Sequence, residues 1–164
     1  MKRPILLLTF IASFAACTQN IPIKSSGDGA SESENTSVAT TDTLCFARYS
    51  GLQKQDTASV RFILDGNKVS GQLANYPYEK DSRVGIIAGI KSGDIIKGTW
   101  HYQQEGRMDS IGFEFKLEGN SLLQKQTSYD MNTGREMLTD TAGFSLEFIK
   151  LDCEKINLPA TGIN

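Results

Sequence analysis

From residue 44 to residue 153 the chain alternates apolar and polar side chains in short runs, and a glycine-bearing turn ends most of them. A period of two sends successive side chains to opposite faces of a strand, so this pattern builds half-buried sheet rather than helix. Val60, Phe62 and Leu64 form one inward row beside Ser59 and Arg61, interrupted on the polar side by Ile63. Asp65-Gly66-Asn67 reads as a tight hairpin turn, because glycine accepts positive φ without a steric penalty. The row resumes at Val69, Gly71 and Leu73, opposite Lys68, Ser70 and Gln72.

The same grammar continues along the chain. Val84 to Lys91 is a strand closed by Ser92-Gly93-Asp94, and Ile96, Gly98, Trp100 and Tyr102 share a face of the next. Ile111, Phe113, Phe115 and Leu117 share a face of another, and Glu118-Gly119-Asn120 turns the chain into Ser121 to Tyr129. Phe144, Leu146 and Phe148 belong to a last strand ending at Cys153, and Leu44 to Tyr49 is the first. Residues 130–142 read as a loop because of Asn132-Thr133-Gly134. The expected fold is all-β: an antiparallel meander of about eight strands, closed as an up-and-down barrel or a strongly curved sheet, with a β-sandwich as the alternative. Glycines inside strands (Gly71, Gly85, Gly89, Gly98) suit sharp bending or close packing. Ile86 and Ile90 occupy the face expected to be polar, which leaves the facing of that strand open.

The start of the chain carries a different signal. Lys2 and Arg3 precede a short apolar run, too brief for a permanent span of about 20 residues. Phe14-Ala15-Ala16-Cys17 resembles the lipobox of bacterial lipoproteins, with Phe14 where leucine is usual. The resemblance implies cleavage before Cys17, diacylation of its sulfur and acylation of its new amine. Residues 1–16 are then a lipoprotein signal peptide, and Cys17 is the lipidation site and the only membrane contact. An ordinary secreted protein with a cysteine near its cleavage site is the alternative. Thr18 follows Cys17 in place of aspartate, which favours the outer membrane and leaves the leaflet open.

Residues 17–43 hold the lipidated cysteine and a stretch rich in serine, threonine, asparagine and glycine that carries no aromatic side chain. Such a composition buries too little apolar area to offset its ordering entropy, so it reads as a flexible tether with a reach of about 25–30 Å. Residues 44–153 form one β-domain of ordinary size, and residues 154–164 a C-terminal tail. A net charge of −2 gives no reason to expect nucleic acid, which requires a strong basic patch.

With Cys17 assigned to lipid, Cys45 and Cys153 remain, one opening the domain and one nearly closing it. In a compartment that permits disulfides they are expected to pair and tie the first strand to the last, with two buried free thiols as the alternative. Two cysteines and one histidine do not make a tetrahedral metal set, and no cofactor fingerprint occurs, so no metal or cofactor is expected.

Short motifs run through the whole domain: the opening cysteine strand, Tyr78-Glu79-Lys80-Asp81, the Gly85, Ile87, Gly89 spacing, the Gly93-Asp94 turn and the terminal Asp152-Cys153. On these, residues 45–153 resemble a group of uncharacterised small lipoproteins of Gram-negative bacteria. The resemblance implies a shared fold and no particular activity.

The most unusual loop is Tyr76-Pro77-Tyr78-Glu79-Lys80-Asp81. Pro77 stiffens it, Tyr76 and Tyr78 offer rigid amphipathic surface, and Glu79, Lys80 and Asp81 add polar specificity. Trp100 and Glu105 complete the candidate binding residues, through a second expected loop at Gln103–Asp109. Tyrosines folded on a barrel rim beside a solvated ion pair are the plainer reading of the first loop. A catalytic role for His101 needs a nucleophile and an orienting acid, yet alternation sets His101 opposite Trp100 and Tyr102, toward solvent. Asp130-Met131-Asn132-Thr133-Gly134 opens like a calcium loop but has Thr141 where the closing glutamate belongs, so it reads as a surface turn. Glu79, Asp81, Glu105 and Asp109 are paired carboxylates of a kind that glycosidic chemistry uses, at separations the sequence leaves undefined.

Three functions are therefore expected in descending order. The first is a non-enzymatic, lipid-anchored envelope module that binds another envelope protein or a small molecule. The second is a calycin-like carrier with a small apolar ligand inside the barrel, for which inward glycines would leave room. The third is a hydrolase.

Overall fold

The computed structural model describes residues 41–159. The expected signal peptide, Cys17, nearly all of the expected tether and the end of the expected tail fall outside these residues. Ten strands form: β1 (Asp42–Ser50), β2 (Asp56–Asp65), β3 (Lys68–Tyr76), β4 (Arg83–Ser92), β5 (Ile95–Gln104), β6 (Arg107–Glu118), β7 (Ser121–Lys125), β8 (Thr127–Tyr129), β9 (Glu136–Leu138) and β10 (Phe144–Leu151). Eight of them close an antiparallel barrel in the order β1-β10-β7-β6-β5-β4-β3-β2, while β8 and β9 pair separately. The barrel, rather than the sandwich, is the fold.

Three two-residue turns shape one end. Gly66, Gly93 and Gly119 stand at the first central position with φ of 59°, 61° and 60°, as hairpins of this length favour. Each turn is spliced to the adjoining strand, because the carbonyls of Asn67, Asp94 and Asn120 accept hydrogen bonds from the amides of Lys91, Leu117 and Lys150 at 2.8, 2.8 and 3.0 Å. Strand β1 starts at this closed end, two residues earlier than the sequence pattern placed it. The other end, the mouth, carries the β1–β2 and β3–β4 connections, the β5–β6 turn and an insert between β7 and β10.

Inward rows meet as expected in one aromatic core. Phe62 and Phe115 cross edge to face at 5.6 Å, and Phe115 and Phe148 do so at 5.8 Å. Such pairs contribute about 0.5–1.5 kcal/mol each beyond the burial of their surface. Val60, Ile96 and Leu122 fill the space around them. The inward glycines leave no hollow. A Cβ on Gly85 would lie 1.9 Å from the His101 carbonyl oxygen, and one on Gly98 would lie 2.1 Å from that of Ala88. Neighbouring backbone, drawn in by the tight curvature, occupies the volume a side chain would take. Ile86 and Ile90 do face outward and are half exposed.

The seam where the first and last strands meet is short. Strand β1 pairs with β10 only from Cys45 to Ala47, but with β2 along its whole length. The Cys45–Cys153 disulfide lies at this seam, with Cα atoms 5.2 Å apart. Beyond it residues 154–159 stay against the barrel. Arg61 donates to the Cys153 carbonyl at 3.4 Å and Gln72 to that of Pro159 at 3.3 Å, so residues 153–159 lie across the outside of β2 and β3. On that outer face Ala47, Ser59 and Ala74 stand in register and are buried.

Two expectations at the mouth are corrected. The stretch Ser121 to Tyr129 is not one strand: it breaks at Gln126, and its second part joins β9 from within the expected loop 130–142. Three-residue strands are too short to register as a period. The expected loop Gln103–Asp109 is a two-residue turn, Glu105-Gly106, since β5 and β6 stay paired up to Gln104 and Arg107.

Candidate functional site at the barrel mouth

The inward rows that are apolar at the closed end become polar as they reach the mouth. Arg48 continues the row of Phe46, and Asn75 that of Leu73. Arg83 precedes Gly85 and Ile87, and Gln104 follows Trp100 and Tyr102. Pairing between β6 and β7 covers only Phe115 to Glu118 on β6, so the mouth half of β6 has no barrel partner on that side. The insert fills in here, with Leu138 of β9 packed 3.8 Å from where a Gly112 Cβ would stand.

Glu136 on β9 makes an ion pair with Arg83 on β4 and accepts a hydrogen bond from the Thr127 hydroxyl. Arg83 also donates from Nε to Gln104 at 2.7 Å, and its guanidinium lies 5.1 Å from the centroid of the Tyr102 ring. The Tyr102 ring stacks at a tilt on Trp100, 4.6 Å away. Burial opposes the Arg83 charge, but the hydrogen bond and the charge of Glu136 outweigh it and raise its pKa. Burial likewise raises the Tyr102 phenol, assisted by the carboxylates of Asp109 and Glu136 against the opposing pull of Arg83.

The Arg83–Glu136 pair borders two spaces. Below it, inside the barrel, is a cavity of about 110 Å³ walled in part by Arg48, Asn75, Trp100, Phe113 and Gln124. Above it is an open cleft of about 500 Å³ between the β3–β4 loop and the insert, edged by Glu79, Lys80, Asp81, Gln104 and Tyr129. Trp100 is only 6% exposed, and its indole N–H has no hydrogen-bond partner. The same is true of the buried Nε of Arg48.

Of the sequence candidates, Glu79, Lys80 and Asp81 line the outer cleft and Trp100 the inner cavity. Tyr76 and Tyr78 line neither. Tyr76 is half-buried, which raises its phenol pKa. Tyr78 is exposed, and its amide donates to Asp56 at 2.7 Å. Glu105 lies beside Asp81 on the rim, and the neighbouring carboxyl, through hydrogen bonding and like charge, raises the pKa of Glu105. Glu79 and Glu105 both hold positive φ, 53° and 50°. Outside glycine that region is uncommon and costs about 1–2 kcal/mol per residue.

Sequence reading missed Arg48, Arg83 and Glu136. Arg48 and Arg83 had a legible signal, a charged side chain on a row that is otherwise inward and apolar. Glu136 had none, because its meeting with Arg83 joins positions 53 residues apart. His101 is exposed on the outer wall as alternation requires. The Asp130 segment is the β8–β9 turn: Asp130 accepts from the Asn132 amide at 2.8 Å, and that bond, with help from Thr133, lowers its pKa. Among the described residues no three acidic, histidine or cysteine side chains cluster as metal ligands.

The chain matches no known protein family, no curated protein and no solved structure.

Proposed function

We infer that this protein is a lipid-anchored, non-enzymatic binding module of the bacterial envelope, held to the outer membrane through Cys17, and that the barrel mouth is its recognition face. One observation carries the reading: exposed apolar side chains gather at the mouth beside the polar cleft. Tyr49, Leu52, Tyr78, Met108, Tyr129, Met131 and Met137 are all exposed there. Apolar exposure concentrated around a polar cleft marks an interaction surface, whereas single exposed residues do not. The topology agrees, since β1 starts at the closed end and a chain anchored at Cys17 joins the barrel opposite these loops.

The core supports this reading over a carrier of apolar ligands. Ligand pockets run to about 300–1,000 Å³, and the inner cavity, at about 110 Å³, is too small for an acyl chain. The position of His101 on the outer wall favours binding over hydrolysis.

The test is capture of envelope proteins on immobilised protein, comparing a rim variant, Leu52→Ser with Tyr78→Ala, and a wall variant, Ile86→Ser. The wall variant is expected to retain the wild-type set and the rim variant to lose it. Equal capture by all three would remove the mouth as the recognition face.

A further inference from the structure

We propose that the cavity beneath the Arg83–Glu136 pair is a binding site for a small free carboxylate, held between the Arg48 guanidinium and the Trp100 indole N–H. This inference deepens the binding reading by assigning a ligand class to the interior of the same mouth.

Arg48 Nε and Trp100 Nε1 are buried donors without partners, and both residues line the cavity. Buried donors left unpaired are costly, more so when charged, and native structures satisfy nearly all of them. The acceptor must therefore come from what occupies the cavity. Charge narrows its nature. Among the cavity's charged residues, Glu136 is committed to Arg83 and Thr127. Arg48 makes no ion pair among the described residues, and its guanidinium lies over the Phe148 ring, 5.9 Å from the centroid. The walls thus carry one uncompensated positive charge, which suits a monoanion. An ionised carboxylate is acceptor-only and offers two oxygens to two donors.

Volume sets the size. At about 110 Å³ the cavity lies well below the roughly 300–1,000 Å³ of ordinary ligand pockets, so it suits a small carboxylate such as acetate. The Arg83–Glu136 pair lines both the cavity and the outer cleft and so forms a partition between them. Glu136 stands on a three-residue strand of the insert, outside the barrel ladder, so the partition opens by displacing the insert without breaking the barrel.

Trp100 is the only tryptophan in the sequence, so its fluorescence and its indole N–H resonance report directly on the cavity. The full chain is titrated with sodium acetate exchanged for sodium gluconate at constant ionic strength, gluconate being too bulky for the cavity. Acetate is expected to change the emission saturably and to move the indole proton downfield, as a new hydrogen bond requires. Arg48→Met, which removes the charge at similar volume, is expected to weaken this response at least tenfold. A linear or absent response, as a cavity filled by water alone would give, overturns the proposal, and so does an undiminished response in Arg48→Met. Should that variant not fold, the series acetate, propionate, hexanoate on the wild-type protein decides. A sharp loss of binding with length supports an enclosed site, and a flat series refutes it. Loss of acetate binding with capture intact refutes this inference alone. Loss of rim capture with acetate binding intact refutes only the recognition face.

Discussion

Removing the Cys45–Cys153 bridge should do more than lower stability, because the bridge stands at the weakest joint of the barrel. The two cysteines are 108 residues apart. Closing a loop of that length in the unfolded chain corresponds to about 5 kcal/mol at 25 °C in the chain-entropy treatment, an upper figure because residual structure in the unfolded chain reduces it. Domains of this size have total stabilities of about 5–15 kcal/mol, so a third or more of the total is at stake. The loss should also be localised. With only Cys45 to Ala47 of β1 paired to β10, reduction leaves a short ladder to hold the circle shut. Urea unfolding of oxidised protein, reduced protein and Cys45→Ala/Cys153→Ala is the measurement, combined with native-state hydrogen exchange. Reduced protein should lose about 3–5 kcal/mol, and the alanine pair slightly more because buried Cys45 is also trimmed. Amides of Phe46, Ala47, Ile149 and Lys150 should exchange well before those of β4 and β5. A loss below about 1 kcal/mol, or exchange that rises evenly around the barrel, would refute the idea that the bridge guards a weak seam.

The remaining predictions concern packing, backbone strain and pH. Gly85→Ala should destabilise by about 3 kcal/mol, the upper end of overpacking costs, because its methyl would meet the His101 carbonyl. Gly112→Ala, with nothing nearer than 3.8 Å, should fall within about 0.5 kcal/mol of wild type in the same urea titration. Glu105→Gly should raise the urea midpoint of unfolding, since it relieves positive φ; an unchanged or lower midpoint would count against strain at the mouth. Burial raises the Tyr102 phenol, so the folded state keeps its proton at a pH where the unfolded chain has released it. The unfolded state then binds fewer protons, and stability must fall as pH rises through and above the ordinary tyrosine value of about 10. Tyr102→Phe should flatten that fall in denaturation curves taken from pH 8 upward, and an identical slope in the variant would contradict the assignment.

How much was legible varied from element to element. The turns at Gly66, Gly93 and Gly119 are spelled by adjacent residues, and they appear where the sequence places them. The β8–β9 hairpin escaped notice because each of its strands has three residues. Of the candidate site, Trp100 and the Glu79–Asp81 segment were found from composition, while Tyr76 and Tyr78 turn away from both spaces. Arg48 and Arg83 were readable in principle as charges on apolar rows.

The alternating pattern by itself determined that this chain makes short strands, which side of most of them faces inward and where the hairpins turn. All of these are local consequences of side-chain period and backbone sterics. Tertiary structure alone decided the rest. Closure set the short seam, and drew backbone so near the inward glycines that they leave no hollow. The insert brought Glu136 to Arg83. A row of residues says which side it faces, but not what stands opposite across the barrel. The cavity with its unpaired donors exists only as a meeting of the eight barrel strands and the insert.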